Sequence, residues 1–155
     1  MVTIERLMAQ APVFAGLPPA HLQAISGCGR RRRVHTGAVL VREGELAETF
    51  FLICEGSVAL EISSPARGAS VITTLHAGEL LGWSWLFEPY RWRIDGRAVQ
   101  PTMLIAFDGP CVRALCEADH ELGYRLLRRF AAAAIERLQE TRLQLLDVYA
   151  NPIGG

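Results

Sequence analysis

One short stretch of the chain concentrates residues able to bind a ligand. Trp83, Trp85, Phe87, Tyr90 and Trp92 are interleaved with Arg91 and Arg93. Aromatic faces can stack on a planar ring, and guanidinium forks pair with carboxylate or phosphate at two points. The same side chains could instead pack a core and bind nothing. Catalytic groupings are harder to find. Gly82-Trp-Ser84-Trp-Leu86 half-matches the elbow that presents a nucleophilic serine, but Leu86 stands where the second glycine belongs. His21, His35, His76 and His120 are scattered, so the His-x-His and Glu cluster of a cupin metal centre is missing. Cys28, Cys54, Cys111 and Cys116 form no C-x-x-C pair, which argues against zinc, iron–sulfur and thioredoxin-like chemistry. Cys54 follows Phe50-Phe-Leu-Ile53 and reads as a small buried hydrophobe. No acid–base–nucleophile set emerges, and the expectation is a non-enzymatic protein.

Composition narrows the classes further. The chain of 155 residues is long enough for one domain with a real core. Its 16 basic residues balance 16 acidic ones, and every basic residue is arginine. With no lysine there is no P-loop lysine, kinase-type ATP lysine or Schiff-base lysine. Zero net charge argues against binding nucleic acid chiefly by electrostatics. The run Arg30–Arg33 fits a solvated strand better than a nucleic-acid patch, because alternation sends two arginines to each face. Glu5 and Arg6 interrupt any signal-peptide core, and no apolar run reaches the ~20 residues of a membrane span. A cytoplasmic location is expected.

Three kinds of segment must position these residues. Residues 1–29 read as short helices, with Pro18-Pro19 ahead of a helix and Gly27 as its stop. Residues 30–108 read as strands. Ala38–Val41, Thr49–Cys54, Ser57–Ser63, Ser70–Leu75 and Thr102–Phe107 are separated by glycine-bearing turns, as in an antiparallel sandwich, roll or barrel. Residues 109–148 read as helix. Asp119–Asp147 would be ~43 Å long at about 1.5 Å per residue, about as long as the body itself.

Within that helix Tyr124, Leu127, Ala131, Ala134, Leu138, Thr141, Leu145 and Val148 alternate at spacings of three and four. This is the seam of a coiled coil and predicts a homodimer. Leu126, Phe130, Ile135 and Leu146 widen the stripe, so one side should pack on its own domain. Thr141 is a polar intruder that needs a partner or a ligand.

The stretch Val41-Arg-Glu-Gly-Glu-Leu-Ala-Glu-Thr-Phe-Phe-Leu-Ile-Cys-Glu-Gly-Ser-Val-Ala-Leu60 resembles the cyclic nucleotide-binding domain of the cAMP receptor protein/Fnr superfamily. The turn Gly44-Glu-x-Ala47-Glu48 and the Gly56-Ser-Val58 strand start carry the likeness. It continues through Leu75-His-Ala-Gly-Glu-Leu-Leu-Gly82 and Arg97-Ala98 to the long helix. The resemblance implies an α+β fold: one domain over 1–155, an antiparallel β-roll of the double-stranded jelly-roll type, short N-terminal helices and a long C-terminal dimerisation helix.

It also implies a ligand site. In the family a strand ending Phe-Gly-Glu leads into a short helix whose N–H groups hold a phosphate. The Glu accepts a ribose hydroxyl, and a later Arg pairs with the phosphate. Here Leu81-Gly82-Trp83 occupies those places, and a second register would use Gly78-Glu79 as the Gly-Glu pair. Trp83 donates only and cannot accept that hydroxyl. Arg91 or Arg93 would be the anion clamp. A polar residue of the family's long helix contacts the base, and Thr141 in Leu138-Gln-Glu-Thr-Arg142 matches it. The implied ligand-binding residues are Gly82, Trp83, Ser84, Trp85, Arg91, Trp92, Arg93, Thr141 and Arg142. The expected ligand is cAMP or another cyclic nucleotide. The alternatives are a different small ligand, with His76 as a candidate haem ligand, or a ligandless dimerisation module. Family regulators carry a helix-turn-helix after the long helix, and only eight residues follow Asp147. Direct DNA binding is therefore not expected, and a downstream protein partner would read the signal.

Overall fold

The computed structural model describes residues 2–150, the side chains of 144, 145 and 147–150 excepted. The chain opens with α1 (Ile4–Gln10), whose start is capped by the Thr3 hydroxyl accepting from Arg6 N–H at 3.2 Å. A turn carrying Phe14 leads to α2 (Pro19–Ser26), with proline in its first turn and Gly27 at its end. Eight strands follow: β1 (Gly29–Val34), β2 (Val39–Val41), β3 (Thr49–Glu55), β4 (Ser57–Ser64), β5 (Gly68–His76), β6 (Leu80–Leu81), β7 (Asp95–Ala98) and β8 (Thr102–Asp108). Two helices, α3 (Gly109–Ala118) and α4 (His120–Ala150), close the chain.

The strands build two four-stranded antiparallel sheets, β1-β8-β3-β6 and β2-β7-β4-β5. This is the expected α+β roll. The central strands β3 and β8 are apolar on both faces, because one face meets the opposite sheet and the other meets the helices. Edge strand β5 leaves Val71 and Ile72 exposed. β6 and β7 are absent from the sequence expectation: two residues show no period, and Asp95-Gly-Arg-Ala98 offers no apolar alternation.

The helical stretch expected over 109–148 is divided at Asp119. Its extended backbone ends α3, and its carboxylate accepts from Glu121 N–H and Leu122 N–H, both at 3.1 Å, to start α4. Helix α4 lies against the roll through Leu122, Leu126 and Phe130, all buried. Phe130 meets Phe14, Phe50, Trp83 and Trp85 edge-on, with centroids 5.3–6.2 Å away. Of the four residues expected to widen the stripe, Leu126 and Phe130 pack at home while Ile135 and Leu146 are exposed. On the other side Tyr124, Leu127 and Leu138 are exposed, as are Ala131, Ala134 and Thr141. The side chains of Leu145 and Val148 lie outside the described residues. No described helix is long and apolar enough to cross a membrane.

One covalent tie was not legible in the spacing of the cysteines. Cys28 and Cys111 form a disulfide across 83 residues, joining the start of β1 to the first turn of α3. Cys54 and Cys116 are free, and burial pushes both thiols up.

Candidate ligand-binding site

A cleft of about 360 Å³ opens between the roll and α4. That volume lies within the range of small-ligand pockets. Strands β4 and β6 supply its apolar floor through Leu60, Leu80 and Leu81. Trp83 and Ser84 follow β6, while Trp92, Arg93 and Ile94 precede β7. Arg137 enters from α4. Two guanidiniums from distant parts of the chain therefore border one cleft.

Gly82 makes the entry to this site possible. Its φ of +116° suits glycine, and a β-carbon there would overlap the Trp92 ring. Trp92 is itself buried, so it cannot simply move out of the way. After Gly82 the backbone makes one turn, with Leu86 N–H donating to Trp83 C=O at 3.1 Å. The short helix that the resemblance implied here is reduced to that turn.

The structure brings Gly82, Trp83, Ser84, Trp92 and Arg93 together. Trp85 goes elsewhere. It is fully buried, stacks on Phe50 with centroids 4.1 Å apart, and donates its indole N–H to Gly82 C=O at 3.0 Å. Its role is in the joint beneath α4, and it does not border the cleft. Arg91 also points away: its guanidinium donates to Gly44 C=O at 2.8 Å. The flanking backbone is strapped to the same turn, with Trp92 N–H donating to Glu45 C=O at 3.0 Å and Ala47 N–H to Tyr90 C=O at 2.7 Å. Arg93 is exposed, and no described carboxylate pairs with it. Thr141 and Arg142 sit further along α4, both exposed and outside the cleft lining. The Thr141 hydroxyl donates to Arg137 C=O at 3.0 Å, which satisfies the polar group within the helix. His76 is exposed at the end of β5, and no described cluster of His, Cys, Asp and Glu could hold a metal ion.

Two arginines escaped the sequence reading. Arg137 Nη2 donates to the Glu79 carboxylate, while the other oxygen of Glu79 accepts from His76 N–H at 3.0 Å. The pair ties α4 to the turn between β5 and β6. Arg137 also borders a second, smaller cleft of about 220 Å³, shared with Glu79, Trp83, Glu136 and Glu140. Arg113 of α3 holds the Trp83–Tyr90 segment from outside. Its guanidinium donates to Trp85 C=O and lies 4.2 Å from the Tyr90 ring centroid. Neither could be found by spacing, because each is brought in by helix packing.

Comparison with known proteins decides the family. A family model described as the cyclic nucleotide-binding domain matches residues 31–119. The chain belongs to that family. The domain also has the β-roll of the cAMP receptor protein/Fnr group. A protein of Geobacter metallireducens GS-15, described as a cyclic nucleotide-binding protein, is 30% identical with a TM-score of 0.78, covering 89% of this chain and 99% of its own. The catabolite activator protein of Thermus thermophilus superposes with a TM-score of 0.70 at 26% identity, over 90% of this chain and 63% of its own. A CRP-like cAMP-activated global transcriptional regulator of Mycobacterium tuberculosis is 20% identical over 152 residues, 98% of this chain. The chain spans 66% of that relative's length.

Proposed function

We propose that this domain is a non-enzymatic sensor of a small anionic ligand of the cyclic nucleotide class, bound in the cleft between β6 and α4. The carrying observation is the convergence of Arg93 and Arg137 on one cleft beside Trp83. Charged hydrogen bonds from Arg suit a phosphodiester, and the indole and leucine walls suit a base. The Mycobacterium relative, described as cAMP-activated, supports the same ligand class. Trp83 cannot accept a ribose hydroxyl, so recognition rests on the anion and the ring rather than on the sugar.

Ligand binding would act through Arg137. Its present partner is Glu79, and a phosphate in the cleft competes with that carboxylate. Exchange of partners would loosen α4 from the β5–β6 turn. A regulatory output follows if α4 is also where two copies meet. The exposed seam of Tyr124, Leu127, Ala131, Ala134, Leu138 and Thr141 supports a homodimer, continued by Leu145 in the sequence pattern. A downstream protein would then read the helix position.

Calorimetric titration with cAMP and cGMP tests the ligand. Saturable heat with at least one nucleotide, weakened about tenfold or more in Arg137→Ala, is the expected result. No heat and no thermal shift with either would overturn the reading.

A further inference from the structure

The Cys28–Cys111 disulfide lies at the edge of a separate cleft of about 410 Å³. Both cysteines are partly exposed and line this cleft. Arg30 and Arg32 line the same cleft. Both are exposed on edge strand β1, and no described carboxylate forms an ion pair with either. The Arg32 guanidinium is steadied over the Phe51 ring, 5.8 Å from its centroid. Asp108 is the carboxylate lining the cleft, and it is committed to capping α3, accepting from Cys111 N–H at 3.0 Å. The cleft therefore combines an S–S bond with two unneutralised cations.

We propose that Cys28–Cys111 is a thiol-exchange site that takes a small thiol of net negative charge, seated by Arg30 and Arg32. The incoming thiolate attacks Cys28 Sγ. A new S–S bond forms there as the Cys28–Cys111 bond breaks, and its electron pair leaves on Cys111 Sγ. Cys28 is the sulfur attacked because Arg30 and Arg32, which line the cleft, lie on the strand that follows it directly. A second thiolate attacks the small molecule's sulfur in the mixed disulfide. This releases the Cys28 thiolate and a small disulfide. Both protein thiolates take protons from water. The two small thiols supply both electrons, and the small disulfide reverses the sequence. Opening the bond removes the covalent tie at the start of α3 and leaves the Asp108 N–H to Cys28 C=O bond at 2.9 Å, and α3 packs directly on α4.

The test uses the oxidised full chain and three thiols of different charge: 3-mercaptopropionate, 2-mercaptoethanol and cysteamine. Each is supplied at equal thiolate concentration, with alkylation quench and peptide mass spectrometry. The expected exchange rates fall in the order anionic, neutral, cationic, spanning about tenfold or more. The span should shrink in 1 M salt, where the Debye length is about 3 Å, and in Arg30→Gln/Arg32→Gln. The first adduct should appear on Cys28, with Cys111 released as a new free thiol, while Cys54 and Cys116 hold no S–S bond to exchange and take no adduct. Equal rates for the three thiols would overturn the proposal, as would a span insensitive to salt. Four free thiols in the air-oxidised protein would overturn it too.

Discussion

Arg91 and Arg93 are two positions apart and carry the same charge, yet the fold gives them different work. Arg91 strengthens the strap onto the Gly44 turn, while Arg93 faces the cleft without a carboxylate. Arg93→Ala should weaken nucleotide binding about tenfold and leave the unfolding midpoint within error. Arg91→Ala should do the reverse, lowering stability by about 0.5–1.5 kcal/mol in chemical denaturation with affinity unchanged. The sequence left this choice open because alternation fails in a segment that is neither helix nor strand. Gly82 carries a sharper constraint. Gly82→Ala adds a methyl where the buried Trp92 ring already lies, at a φ of +116°. A loss of about 1–3 kcal/mol is expected from crowding alone. The half-buried free thiols also set a pH dependence. Burial raises Cys54 and Cys116, so the fold favours their protonated forms. That contribution is complete at neutral pH and falls away as pH rises through the alkaline thiol range.

At the scale of elements, α4 has two jobs on two faces. Its inner face was partly legible: Leu126 and Phe130 stood out as apolar, but their aromatic neighbours come from Phe14, Phe50 and the segment after β6. Helical spacing can show which residues share a face; it cannot say which loop that face meets. Arg137 was missed for this reason, since only helix packing brings it beside Glu79 and Trp83. Glu79→Gln weakens the tie and releases Arg137 for an anion. At about 0.2–1 kcal/mol for such a pair, nucleotide affinity should rise up to about fivefold in the same titration. The outer face was legible as a three-four repeat, and its residues are exposed. Sedimentation should show a dimer at micromolar concentration. Leu138→Glu, at a half-exposed seam position, should give a folded monomer, because a carboxylate in a tight helix seam has no partner.

For the whole molecule, the longer strands along the chain and the helix bracket were accessible from turn glycines and alternation, whereas the sheet order and the short strands β6 and β7 were not. Both lie where the site is built, so the sequence described the frame more fully than the cleft. The covalent frame was hidden as well. A disulfide closing 83 residues confines the unfolded chain, and removing it by Cys28→Ser/Cys111→Ser should cost about 2–5 kcal/mol in oxidising buffer. The same variant and the parent should unfold alike once the parent is reduced.

The central claim is that Arg93 and Arg137 hold an anion between the roll and α4. A crystal structure of the domain grown with millimolar cAMP tests it most directly. Nucleotide density is expected in the cleft, its phosphate within about 3 Å of one or both guanidiniums, with the Arg137–Glu79 pair broken. Nucleotide density elsewhere on the molecule, or an empty cleft with that pair intact, would contradict it.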